Sequence, residues 1–161
     1  MIDIALLRID DRLIHGQIIT KWLSNLKFDT IIVADDKAAN DPLEKTLLQM
    51  ATPNKIDLKV FSIDQAIKFL TDKTQNLKAF ILVRNTNAAL KIVEKLTEAN
   101  IRLELVNVGN ISMNPNKKKI FKAVWVDDQD IENLKKIEAL GIKTIVQVIP
   151  EEKPIPFFND K

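Results

Sequence analysis

The sequence predicts an α/β fold: a single domain over residues 1–161, built as an open, doubly wound, mostly parallel sheet of about seven strands with helices on both faces. Three observations point to it. Apolar runs of strand length alternate with helical patterns along the whole chain. The run Ala79-Phe80-Ile81-Leu82-Val83 is continuously apolar, as a parallel strand covered on both faces must be. Capping signals stand ahead of several helical stretches, so the alternation is punctuated where helices should start.

Residues 2–7 read as the first strand, and residues 16–26 as a helix carrying Ile18, Ile19, Trp22, Leu23 and Leu26. Residues 30–34 form a second strand. Asp41-Pro42-Leu43-Glu44 then offers a cap, a proline at the first helical position and a glutamate able to close a capping box, for a helix running to Met50. Residues 58–61 are a third strand, and Ser62 with Gln65 repeats the capping-box spacing before Ala66, Ile67, Phe69 and Leu70. After the strand at 79–83, Thr86 caps a helix bearing Ala89, Leu90, Val93 and Leu96. Residues 103–108 and 120–126 read as two more strands, joined by a polar, turn-prone stretch at 109–119. A last helix covers 130–140 and stops at Gly141 in a left-handed cap; a strand at 144–149 follows, and Pro150, Pro154 and Pro156 make an irregular tail.

The composition narrows the function. Charged residues are 29% of the chain, mixed in sign and summing to +2, so no overall field recruits nucleic acid. There is no cysteine and one histidine, which argues against thiolate or transition-metal chemistry. Neither a signal sequence nor an apolar run of roughly 20 residues stands out, and the chain reads as cytoplasmic. With three glycines in all and neither glycine-rich phosphate-loop pattern, nucleotide-binding enzymes are disfavoured.

In a doubly wound sheet the ligand site lies beyond the carboxyl ends of the strands, and the first strand–helix junction is the place to look. There the chain reads Arg8-Ile9-Asp10-Asp11-Arg12-Leu13-Ile14-His15-Gly16-Gln17, its densest run of reactive types. An imidazole of ordinary pKa, about 6.5, is roughly three-quarters neutral at pH 7 and can attack phosphorus without a strong auxiliary base. Arg8 and Arg12 are candidate bidentate phosphate ligands, and the amides at the helix start add donors and a favourable dipole. Gly16 clears space for a partner's active site to approach His15. Asp10 and Asp11 either orient the ring or cap the helix. Asp35, Asp36, Arg84, Asn85 and Asn107 end other strands, and Arg84 joins the site if strands one and four are neighbours. Read from residues alone, His15 is as compatible with a solvated surface position as with a nucleophile, and the arginines with ion pairs to Asp10 and Asp11.

The run from Arg8 to Gln17 resembles the active-site motif of the IIB components of the mannose/fructose/sorbose family of the phosphoenolpyruvate-dependent sugar phosphotransferase system. The resemblance continues through Val33-Ala34-Asp35-Asp36, Leu82-Val83-Arg84-Asn85, Asn107-Val108-Gly109 and Val146-Gln147-Val148-Ile149-Pro150. It implies that a phosphorylated IIA component phosphorylates His15 on Nδ1, and that the group passes to a sugar imported through membrane IIC/IID subunits. Arg12 and Arg8 carry over as phosphate ligands, as do the amides around Gly16. No metal, nucleotide or organic cofactor is implied; membrane association is indirect, through the permease, and a homo-oligomer is compatible with the reading. One departure is Asn110-Ile111 after Gly109, where the family often has a second glycine, which bears on how closely that loop approaches the site.

Two other readings compete with this one. A receiver-type module would use Asp10 and Asp11 as its acidic pair, yet the third strand ends Val60-Phe61-Ser62 without an acceptor aspartate, and Asn107 stands where its lysine would be. A non-catalytic interaction or regulatory module with an inert His15 is the rival from another class. The run Asn116-Lys117-Lys118-Lys119 is a candidate docking patch or a solvated loop.

Overall fold

The computed structural model describes residues 1–159. In chain order the elements are β1 (Asp3–Asp10), α1 (Gly16–Asn25), β2 (Thr30–Ala34), α2 (Asp36–Ala39), α3 (Pro42–Ala51), β3 (Asp57–Phe61), α4 (Ile63–Leu70), β4 (Lys78–Val83) and α5 (Thr86–Glu98). They continue with β5 (Leu105–Asn110), β6 (Lys118–Phe121), β7 (Val124–Val126), α6 (Asp128–Ala139), β8 (Lys143–Val146) and β9 (Ile155–Pro156). The main sheet has the order β3-β2-β4-β1-β5-β8-β9 and is parallel except for β9.

Two cores flank the sheet. On one side Ile19 and Trp22 of α1, Leu48 of α3 and Phe28 pack on Leu6, Ile31, Val33, Phe80 and Leu82. On the other, α4, α5 and α6 bury Ala66, Ile92, Val93, Leu96, Leu134 and Ile137 against Leu7, Ile9, Ile32, Ile81, Val83 and Val108. The strands at the centre are apolar on both faces because both faces are covered. The chain leaves β1 toward the α1 side, whereas its neighbours β4 and β5 send the chain to the opposite side. Their exits diverge above the carboxyl end of β1, the position where doubly wound sheets form their ligand crevice.

The expected elements differ from the observed ones in instructive places. β1 runs to Asp10, so Arg8 and Asp10 are strand residues and not part of a loop. The expected strand at 120–126 is a separate two-stranded antiparallel hairpin, β6–β7, with Lys122 and Ala123 at its turn. Val124 and Val126 face the core while Ile120 stays exposed, and a bridge from Ile111 to Val124 ties the hairpin down. The seventh strand of the sheet comes instead from the proline tail: β9 pairs with β8 at the sheet edge, where a proline's missing N–H is tolerated. β5 lies two residues later than expected, β8 ends at Val146, and the short helix α2 was not anticipated.

Helix starts follow side-chain chemistry. Asp41 caps α3, and Ser62 with Gln65 forms a full capping box at α4. Glu44 does not close a box; its carboxylate turns to Arg84. Asn85 caps α5 in place of Thr86, and α6 begins at Asp128 under a box formed by Asp127 and Asp130. Gly141 adopts φ +86° as the left-handed residue past α6. Among the described residues, no helix is long and apolar enough to cross a membrane.

Candidate functional site

The junction between β1 and α1 is held from below. Leu13 N–H donates to the Asp10 carbonyl at 2.9 Å, closing a tight turn over Asp10-Asp11-Arg12-Leu13. Leu13 takes φ 61°, a left-handed conformation that costs a side-chain-bearing residue roughly 1–2 kcal/mol. Leu13 and Ile14 are buried in the α1-side core, and that anchorage offsets the strain. His15, next in the chain, is left exposed.

His15 is the N-cap residue of α1 with extended backbone angles, and its side chain makes no capping bond. Helices α2 to α6 are each capped by a side chain, from Asp35, Asp41, Ser62, Asn85 and Asp127. No acidic residue lies in the first turn of α1, so its amide dipoles point, unneutralised, toward the His15 end.

Asp10 organises the arginines. Its Oδ1 accepts from the Arg12 backbone N–H and Nε, both at 3.0 Å, and its Oδ2 accepts from Arg12 Nη2 at 2.9 Å and Arg8 Nη2 at 3.3 Å. Arg12 keeps 36% of its side chain exposed, and among the described residues its Nη1 donates to no protein group. The hydrogen bond to Asp10 raises the Arg12 pKa above its ordinary value, locking the charge on.

Arg8 is 1% exposed. Nη1 donates to Asn107 Oδ1 at 2.6 Å and to the Gln147 carbonyl at 3.0 Å, and its Cζ lies 5.6 Å from the Trp22 ring centroid. Burial lowers its pKa to about 10, partly countered by Asp10, so it is charged at neutral pH. Closed to solvent, Arg8 stands behind Asp10 and does not face the crevice. The Gly109 segment lies directly against it: a β-carbon there would fall 2.1 Å from Arg8 Cζ.

The remaining candidates divide between buttress and bystander. Arg84 is brought to the loop, because β4 does lie beside β1, and its Nη1 donates to the Asp11 carbonyl at 3.3 Å. Its other donors go to Asp35 and Glu44. Asp11 accepts from Asn110 Nδ2 and from the Ser112 amide and hydroxyl, tying the first junction to the loop after β5. Neither Asp10 nor Asp11 caps α1 or bonds the His15 ring. Asp36 holds the start of α4 through the Ile63 amide. Gly16 has no positive φ, and a β-carbon there would meet only the Ala51 carbonyl oxygen at an ordinary 3.8 Å. Lys117 is far from a free docking charge: it pairs with Asp130 at 2.9 Å in a network with Thr86.

Sequence reasoning did not identify the Gln147 carbonyl, Trp22, Glu44 and Ser112 as parts of this assembly. The signal for the first lay in pattern: a polar Asn107 inside Val106-Asn107-Val108 has to find buried partners, and one of them is the Gln147 carbonyl.

The chain is thus a doubly wound α/β domain with an exposed histidine at an uncapped helix start, beyond the carboxyl end of a central parallel strand. The chain's particular family follows from comparison. The family model described as "PTS system sorbose subfamily IIB component" matches residues 4–159. The chain belongs to this family. It is 34% identical over 152 residues to the N-acetylgalactosamine-specific phosphotransferase enzyme IIB component 1 of Escherichia coli K12, covering 94% of each chain. It is 35% identical over 157 residues to the mannose-specific EIIAB component of the same organism, covering 97% of this chain and 47% of that one. The crystal structure of the IIBSor domain of the sorbose permease from Klebsiella pneumoniae superimposes with a TM-score of 0.88 at 32% identity, covering 96% of this chain and 93% of the other.

Proposed function

We propose that this chain is a phosphoryl carrier that accepts a phosphoryl group on His15 from a phosphorylated IIA component and delivers it to a sugar held by membrane IIC/IID subunits. The observation that carries the reading is an exposed His15 at the uncapped amides of α1, three residues after an Arg12 whose Nη1 meets no protein acceptor among the described residues. Membership of the IIB family supports it, and the EIIAB relative's name joins the two components in one chain.

In the first step the lone pair of a neutral His15 ring nitrogen forms a bond to phosphorus as the donor's bond to phosphorus breaks. In the second, a sugar hydroxyl oxygen forms the new bond as the His15 nitrogen–phosphorus bond breaks, and the hydroxyl proton passes to a base of the acceptor complex. Both transition states carry charge on the equatorial oxygens, and in this reading Arg12 and the helix-start amides receive it. A half-exposed arginine suits a carrier, since a cradle that bound the phosphoryl group too tightly would slow its release. Gly16 lets the partner close on His15. Arg8, Asp10, Asp11 and Arg84 support the junction from behind. The carrier works at the cytoplasmic side of the permease, as one domain over residues 1–161, without cofactor or metal of its own.

The test is reconstitution. Membrane vesicles bearing the matching permease subunits, supplied with phosphoenolpyruvate, the general phosphotransferase proteins, IIA and this chain, are expected to form sugar phosphate, and His15→Ala to form none. Equal sugar phosphate with His15→Ala would overturn the assignment in favour of an interaction module with an inert histidine.

A further inference from the structure

We propose that Asn107 is a positioning residue for phosphoryl transfer at His15, acting through Arg8 and Asp10 on Arg12; this rests on the carrier reading above. Asn107 lies in register with Arg8 across the β5–β1 pair and is fully buried between Val106 and Val108. Its carboxamide works at both ends. Oδ1 accepts from Arg8 Nη1 at 2.6 Å, and Nδ2 donates to the Gln147 carbonyl at 3.0 Å. The same carbonyl accepts from Arg8 Nη1, so three groups from β5, β1 and the end of β8 close on one another.

Packing confines the guanidinium as well. Trp22 stands on one approach, and Gly109 lies so close that only the absence of a side chain lets Arg8 occupy its place. One orientation is left, with Nη2 directed at Asp10 Oδ2. Asp10 in turn grips Arg12 through both oxygens, and Arg12 is the member of the set that faces solvent.

Stability alone does not account for this chain of contacts. Buried ion clusters are often matched or bettered by apolar residues of similar volume, whereas what they do supply is a fixed geometry. Here the geometry delivered is the heading of the Arg12 guanidinium, and a displacement of about 1 Å at such a group slows transfer by roughly 100-fold.

The experiment measures single-turnover transfer from phosphorylated IIA, the ³¹P resonance of the phosphohistidine and the melting temperature. The variants are Asn107→Leu, Asn107→Asp, and Gly109→Ala in both the native and the Arg8→Ala backgrounds. Asn107→Leu is expected to lower the maximal rate about 10- to 100-fold with the KM for the donor within about twofold, and to move the ³¹P resonance. Asn107→Asp, which keeps an acceptor for Arg8, should recover much of the rate. Gly109→Ala should cost about as much as Arg8→Ala, and nothing further once Arg8 is gone.

A folded Asn107→Leu with wild-type rate and resonance would overturn the proposal. So would losses from Gly109→Ala and Arg8→Ala that multiply, and this cycle decides the matter if Asn107→Leu does not fold. A wild-type protein that accepts no phosphate overturns the carrier reading itself, and the positioning role with it.

Discussion

Arg12 and Gly16 separate chemistry from folding. Arg12 is tethered to Asp10 on one edge and open on the other. Arg12→Ala should slow both half-reactions by about 10- to 100-fold, the value of one charge-assisted hydrogen bond at roughly 1.5–3 kcal/mol, measured by rapid-quench transfer in each direction. Arg12→Lys should recover only part of the rate, because a point charge cannot hold Asp10 and a phosphoryl oxygen with one planar fork. Gly16→Ala meets no obstruction among the described residues. Its melting temperature should therefore match or slightly exceed the wild type's, since alanine is the better helix former, while transfer from phosphorylated IIA falls. Unchanged transfer would remove Gly16 from the approach surface. At this scale the motif was legible because reactive types crowd one short run. The place of Arg8 was not: with the first strand expected to stop at residue 7, Arg8 read as a loop residue free to bind phosphate. The extra strand length, with the side chain turned under α1 among Trp22 and Asn107, is set by pairing with both β4 and β5, which no local pattern encodes.

Helix starts show which local signals survive tertiary packing. The Ser62–Gln65 box and the Asp41–Pro42 start were legible because capping uses neighbours in sequence. Thr86 looked like a cap yet is buried, donating to Asp130 at 2.6 Å, since α5 and α6 pack together over that position. Asp130 also accepts from Lys117 and from the Asp127 amide. Burial pushes its carboxyl up, but Thr86, Lys117 and the Asp127 amide together hold it below the ordinary 3.8. A carboxyl with a lowered folded pKa contributes stability that is present above 3.8 and lost as the pH falls through the folded value. Asp130→Asn should thus destabilise the protein at neutral pH by roughly 1–3 kcal/mol and flatten the loss of stability below about pH 4, followed by urea unfolding across pH. An unchanged acid limb would show that Asp130 carries no part of it. The hairpin β6–β7 was misread as one strand because its turn, Lys122-Ala123, lacks glycine or proline punctuation.

The whole molecule places the chemistry by topology. Parallel strands with crossovers on both sides were legible from the alternation of apolar runs and helices, and so was the position of the site beyond the strand ends. Strand order was not, yet the order β4-β1-β5 is what brings Arg84, Asp11 and Asn110 together around one junction. That convergence gives His15 a rigid floor built from β1, β4 and β5 while leaving its ring in solvent. The deciding experiment is the intact mass of the protein after incubation with phosphoenolpyruvate, the general phosphotransferase components and a matching IIA, wild type beside His15→Ala. One acid-labile phosphate is expected on the wild type and none on the variant; no phosphate on the wild type, or the same phosphate on His15→Ala, would overturn the carrier role of His15.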